Sequence, residues 1–183
     1  EESQATPGAV VVALISGGAS SLLCAPLGIS LSDKRAITAT LLASAANVRD
    51  VNTVRKHLSR VKDGGLLRAA GGTRVVTLIA SDVIGGSAAD DGSGPTVPGT
   101  TTANEARAVL ERFAPSFAHV SLSDTCGPSA TDEAASVRII ASPHAFAEAL
   151  AREFTTKGFT ASCLAPSTRS IDELVVEYEV LAR

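Results

Sequence analysis

Three stretches of the 183-residue chain carry polar residue types where phosphate or carboxylate chemistry uses them. The first is Ser16-Gly17-Gly18-Ala19-Ser20, which follows directly on the apolar run Val10 to Ile15. Bare backbone N–H groups and small hydroxyls at the end of a buried strand are where anions bind in α/β folds. A tight turn uses the same residue types, and spacing alone does not separate the two readings. The second is Asn52-Thr-Val-Arg55-Lys56-His57-Leu-Ser59-Arg60-Val-Lys62, with four cations crowded into a short span of an otherwise acidic chain. Such a run is either a solvated basic helix face or a device for neutralising a phosphate-rich ligand. The third is Ser81-Asp82 at the end of the apolar run Arg74 to Ala80. An acid there is placed to hold Mg²⁺ or to act as a base, and equally to cap a turn. It opens the long polar loop Ser81 to Thr102, which carries Ser93-Gly-Pro-Thr96-Val-Pro98. Loops of that length in compact domains are functional or disordered, and two loops at the ends of two parallel strands imply one shared site.

The elements that must position these residues follow from apolar periodicity. Val10 to Ile15 and Arg74 to Ala80 are continuous apolar runs, the pattern of strands buried on both faces in a helix-covered parallel sheet. Ser20 to Cys24 predicts a short helix stopped by Pro26 and Gly28. Ser30-Leu-Ser-Asp33 opens a helix from about Ser32 to Ala45, with Ile37, Leu41 and Leu42 at helical spacing. Val48, Val51, Val54, Leu58 and Val61 give the basic stretch one apolar helical face, broken at Gly64-Gly65 before a short helical piece from Leu66 to Ala70. Thr102 or Asn104 starts a helix that ends near Pro115. Ser116 to Ser136 reads as an irregular excursion with a turn at Cys126-Gly-Pro128, and Val137 to Ala141 as a short strand or the entry to a helix over Pro143 to Lys157. Thr160 to Leu164 predicts a third strand. Ile171 to Arg183 predicts a last helix that packs through Leu174, Val175, Tyr178 and Leu181. The fold class is then α/β, a layered helix–sheet–helix arrangement with a mostly parallel, Rossmann-like sheet. Residues 1–9 read as a lead-in, and 10–183 as a single α/β domain or a segment of one.

Composition narrows the classes. Hydrophobic residues make up 45% of the chain, with one Tyr and no Trp, so Ala, Val, Leu and Ile must build the core. A net charge of −3 gives no reason to expect nucleic acid as a partner. The sequence contains no apolar run of membrane-spanning length and no secretory leader pattern. Cys24, Cys126 and Cys163 form no metal-binding spacing, and a reducing, cytoplasmic setting is expected. The absence of Met suggests an excised segment.

Leu14-Ile-Ser-Gly-Gly-Ala-Ser20, Asn52-Thr-Val-Arg-Lys-His-Leu-Ser59 with Lys62 and Gly64-Gly65, and Ser81-Asp-Val83 with Ser93-Gly-Pro-Thr-Val-Pro98 together resemble glycerate kinases of the class II type. The resemblance runs from about Val10 to the end of the chain. It implies transfer of phosphate from ATP, with Mg²⁺, to glycerate, most often giving 2-phosphoglycerate; some family members carry the name hydroxypyruvate reductase. It also implies an upstream Gly-Lys-Ala-Ala segment with a catalytic lysine and a second domain, neither of which occurs in these residues, so the segment alone is expected to be inactive. A homo-oligomer is one further expectation. The family's acidic loop usually reads Ser-Asp-Val-Pro-Gly-Asp; here Ile84 replaces the proline and Gly86 the second acid, which Asp90 or Asp91 could replace if the loop folds back.

On this reading Asp82 and Lys56 are the catalytic residues, with Asp82 either accepting the proton of the attacked hydroxyl or anchoring Mg²⁺. Ser16, Gly17, Gly18 and Ser20 supply donors to phosphate or substrate carboxylate. Arg55 and Lys56 neutralise oxygens, Asn52 and Ser59 orient the substrate, and Thr96 lines the site. His57 is expected to be a packing or surface residue. Two rival readings remain: an NAD(P)-dependent hydroxypyruvate reductase, for which Gly17-Gly18-Ala19 lacks the G-x-G-x-x-G form, and a non-catalytic anion- or nucleotide-binding lobe.

Overall fold

The apolar run at Val10 does form a strand, β1 (Val10–Ser16), and it pairs in parallel with β2 (Arg74–Ala80). This computed structural model describes residues 8–124, 135–164, 167 and 169–181. The β1–β2 pairing is continuous, from Val10 opposite Arg74 to Ser16 opposite Ala80. A third strand, β3 (Ala135–Ala141), lies parallel on the other side of β2, giving the order β1-β2-β3. Val137 to Ala141 is therefore strand rather than helix entry. The predicted Cys126-Gly-Pro128 turn lies outside the described residues. Two compact units divide the chain, 1–142 and 143–183.

The sheet departs from the doubly covered strands that continuous apolar runs predict. Central β2 alternates, with Val75, Thr77 and Ile79 each 1% exposed and the intervening residues half-buried. The flanking β1 buries only Ile15, and Leu14 is 74% exposed. Of β3, Ile139 and Ile140 are exposed as well. An apolar run states that both faces of a strand tolerate burial; which faces are covered depends on the layers packed against them. One face of β2 is closed by the Asp91–Thr96 segment, where the buried Thr77 hydroxyl donates to Thr96 Oγ1 at 2.9 Å.

The main apolar cluster lies among helices rather than on the sheet. After the short α1 (Ala19–Leu22), α2 (Leu31–Ala43) contributes Ile37 and Leu41, and α3 (Val48–His57) contributes Val51 and Val54. Beyond a short α4 (Gly65–Ala69), α5 (Ala103–Phe113) adds Ala106 and Leu110; Leu58, Ala114 and Val120 complete the cluster. Caps set the helix starts. Ser30 Oγ accepts from the Asp33 amide at 3.0 Å, Asn47 Oδ1 from Asp50 at 2.9 Å, and Thr102 forms a capping box with Glu105. Helix α3 stops at His57, earlier than the valine spacing predicts, because the Arg60 amide donates to Ala25 at 2.8 Å and pulls the chain off the helix.

In the second unit, α6 (Pro143–Thr156) and α7 (Ile171–Leu181) form as expected. Thr160 to Leu164 is not a strand: it has no ladder partner among the described residues, and an extended segment without one leaves its backbone groups to water. The expected packing face of α7 is open at Val175 and Tyr178, each 47% exposed.

Candidate functional site

Because Ser16 pairs with Ala80, the glycine turn and Ser81-Asp82 leave the sheet side by side at the carboxyl ends of β1 and β2. The two are in direct contact. A Cβ built on Gly17 would stand 2.3 Å from Asp82 Oδ2, so any larger residue at Gly17 displaces the carboxylate. Gly18, at φ 81°, takes the left-handed conformation that turns the chain into α1. Ser16, Gly17, Gly18 and Asp82 are all exposed, and the Gly18 carbonyl accepts from the Ser21 amide at 3.0 Å as α1 begins. One turn of helix later, the Ser20 hydroxyl shares a 3.0 Å hydrogen bond with Ser93, joining the first turn to the long loop.

That loop folds back. Asp91 is 2% exposed, and neither of its carboxyl oxygens has a hydrogen-bond partner in bonding geometry. Burial pushes its pKa up; the nearby Ser81 hydroxyl opposes this, and the Asp82 and Asp90 carboxylates add to the rise. Asp90 is differently engaged, accepting from the Ser87 amide at 2.8 Å and the Ser87 hydroxyl at 2.9 Å. Of the two acids, Asp90 is tied to Ser87, whereas Asp91 lies close to the Ser81 hydroxyl and the Asp82 amide without a hydrogen bond in full geometry. Among the described residues no group of three or more His, Cys, Asp or Glu side chains gathers to hold a metal. Mg²⁺ needs fewer, since it is commonly held by one or two carboxylates together with substrate phosphates. Asp82 and Asp91 fit that donor set.

The basic run is not a solvated face. Arg55 Nη2 donates to the Ser20 carbonyl, and Lys62 Nζ donates to the same oxygen at 2.9 Å and to Gly92 at 3.1 Å. Lys62 is 1% exposed, and its pKa is lowered to about 7, first by burial and then by the charges of Arg55, Lys34 and Lys56. Lys34, on α2, is also buried and donates to the Leu58 carbonyl at 2.7 Å; burial and the Arg55 charge lower its pKa, with Cys24 opposing them. Of the run only Arg60 is exposed, and its Nε donates to the Pro26 carbonyl at 3.3 Å. Helices pack these stems inward because α3 and the turn after it lie between the sheet loops and α2, leaving no solvent side for Lys62.

The remaining expected site residues are distributed unevenly. Lys56 is 8% exposed, and its ammonium stands beside Asp63 and Gly99: a Cβ on Gly99 would lie 2.0 Å from Asp63 Oδ1 and 3.5 Å from Lys56 Nζ. Ser59 is fully buried and accepts from the Val61 and Lys62 amides at 3.4 Å, which makes it the pivot of the turn after α3. Thr96 is held by Thr77 at 3% exposure. Asn52 is half-buried on α3. His57 is buried with both ring nitrogens engaged, by the Ser123 carbonyl at 2.8 Å and Thr101 Oγ1 at 3.2 Å, a packing residue as expected. The residues brought together are thus Gly17, Asp82, Ser20, Ser93, Arg55 and Lys62. Lys34 joins them without having been singled out, and Asp91 joins them as one of the two acids named as replacements for the one missing at Gly86. Lys34 had a signal, since it shares a helical face with Ile37 and Leu41; for Asp91 the sequence named it beside Asp90 but did not separate the two.

The family model described as "Domain of unknown function (DUF4147)" matches residues 2–124. A protein of Agrobacterium vitis named "Putative hydroxypyruvate reductase" is 46% identical over 150 residues, covering 79% of this chain and 34% of that protein. The glycerate kinase of Rattus norvegicus is 36% identical over 185 residues, covering 95% of this chain and 35% of the relative. Among solved structures, a glycerate kinase from Thermotoga maritima superposes with a TM-score of 0.72 at 31% identity, over 85% of this chain and 38% of that one. The chain spans about a third of the length of the relatives it matches.

Proposed function

The chain belongs to the DUF4147 domain family, and from that premise we propose that it contributes the phosphate-handling loops of an enzyme that phosphorylates glycerate from ATP. The observation that carries the reading is the contact between Gly17 and Asp82 at the paired ends of β1 and β2. It sets an exposed carboxylate against a turn of exposed backbone and hydroxyl groups. The relatives named as glycerate kinases supply the substrate.

In the reaction, a glycerate hydroxyl oxygen attacks the γ-phosphorus, the bond from that phosphorus to the ADP oxygen breaks, and the hydroxyl proton passes to a base, which is Asp82 where that carboxylate does not anchor Mg²⁺. Phosphoryl transfer asks the protein mainly for positioning and charge neutralisation. Ser16, Gly17, Gly18 and Ser20 supply hydrogen bonds to phosphate or to the glycerate carboxylate, while Arg55 and Lys62 hold the Ser20 carbonyl and with it the turn. Lys56 acts on charge from within, opposite Asp63, and Ser59 and Thr96 act by holding their loops; Asn52 faces the substrate from α3. Asp82 fills one of two roles: it takes the hydroxyl proton, or it anchors Mg²⁺ together with Asp91, and the ion would then neutralise charge on the transferred phosphate. Residues 10–183 form an α/β domain or a segment of one. A cytoplasmic setting goes with ATP as donor; no helix among the described residues is long and apolar enough to cross a membrane.

The second reading, a hydroxypyruvate reductase, draws on the name of one relative. A coupled ADP-release assay on the full-length protein with glycerate, run beside NADH absorbance with hydroxypyruvate, separates the two. Glycerate-dependent ADP formation is expected; NADH oxidation without it would remove the kinase reading.

A further inference from the structure

A cavity of about 290 Å³ opens beside α1, α2 and α3, and its walls include Ser20, Cys24, Lys34, Arg35, Arg55 and Lys62. Four of these six are cations. No carboxylate is among the charges that shift Lys34 and Arg55, and the charges that act most on Lys62 are those of Arg55 and Lys34. The hydrogen bonds of all three go to backbone carbonyls: Lys34 to Leu58, Arg55 to Ser20, and Lys62 to Ser20 and Gly92. An ammonium carries three donors and a guanidinium five, so most of this donor capacity is unspent. Buried cations without counter-charge are costly to the fold, and proteins retain them where an anion completes the site.

We propose that this cavity binds the phosphate group of a phosphorylated organic ligand, with Arg55, Lys34 and Lys62 supplying the counter-charge. Leu31 and Leu42, 52% and 66% exposed, line the same cavity and give the organic part of the ligand an apolar surface. This favours a phosphate ester over free phosphate. The ester is either the nucleotide donor or the phosphorylated product, whose phosphates share one chemistry. The site itself does not depend on the kinase reading; only the choice between those two ligands rests on it.

The test measures alkylation of Cys24, whose exposed thiol lines the cavity, by peptide mass spectrometry, with Cys163 as the reference thiol. Pyrophosphate, ADP and 2-phosphoglycerate are the probes; glycerate and chloride are the controls. A phosphorylated probe is expected to slow Cys24 labelling about tenfold and leave Cys163 unchanged. Protection by ADP identifies the donor, and protection by 2-phosphoglycerate the product. Lys34→Met should abolish the protection. Because that change touches a buried side chain, Arg35→Glu on the exposed rim serves as a second variant and should weaken protection about tenfold with the circular dichroism spectrum intact. The proposal is overturned if no phosphorylated probe protects, if chloride protects equally, or if Arg35→Glu is protected as well as the parent. ADP formation without protection removes the cavity site and leaves the kinase. Protection without glycerate-dependent ADP formation does the reverse.

Discussion

Gly17 lacks a side chain where the Asp82 carboxylate needs the space, and this makes the two residues separable by mutation. Asp82 is exposed, so Asp82→Asn removes a proton acceptor without disturbing packing. It should lower kcat by about a thousandfold, in the range of lost general bases, with an unchanged melting curve. Near-normal turnover would take Asp82 out of the reaction. Gly17→Ala puts a methyl 2.3 Å from Asp82 Oδ2 and should cut activity without loss of stability, since Gly17 is exposed and has no left-handed φ. Lys62 gives a pH signature. Its folded pKa of about 7 lies well below the ordinary 10.5, so between those values the unfolded chain binds more protons and stability rises with pH. Below about pH 7 the lysine is charged in both states, and the full burial penalty applies. Arg55, Lys34 and Lys56 all push in the same direction, and Cys24 opposes them. The melting temperature should therefore climb from about pH 6 to about pH 9, and Lys62→Met should flatten the climb. An unchanged slope in that variant would show that Lys62 does not titrate in this range.

Between elements, a buried hydrogen bond ties the sheet to the loop that carries Asp91. Thr77 on β2 donates to Thr96, with both residues buried. Removing one hydroxyl strands the other, which costs about 1–3 kcal/mol, whereas removing both leaves two shape-matched apolar groups. Thermal or urea unfolding should show Thr77→Val and Thr96→Val each destabilised and the double variant partly restored. Additive losses would mean that the hydroxyls have separate partners. The helix starts at Ser30 and Thr102 were legible from sequence because each cap side chain accepts from an amide only three residues on. The end of α3 was not. Its valine stripe runs on to Val61, and only the long-range bond from Arg60 to Ala25 breaks it.

At the scale of the whole molecule, the sheet is the feature that most departs from its sequence pattern. Val10, Val12, Leu14, Ile139 and Ile140 are exposed on the two flanking strands, and such edges recruit other chains. The 183-residue chain alone should associate with rising concentration in light scattering, and Leu14→Lys should reduce that association. A monodisperse monomer at all concentrations would argue against an adhesive sheet face. The same contrast separates what each level of description decides. Sequence alone determined the strand-to-turn junctions at Ser16 and Ala80, the helix starts at Ser30 and Thr102, and the three motifs in chain order. Each depends on residues within a few positions of one another, where backbone geometry and periodicity act directly. Tertiary structure alone decided which cations lose their water, which of the two loop acids is buried near Asp82, and which strand faces are covered. Those outcomes join Ser20 to Ser93 across 73 positions and Lys62 to Ser20 across 42, and no local pattern records such a pairing. Parallel register and helix packing bring the partners together, and desolvation then makes their charges matter.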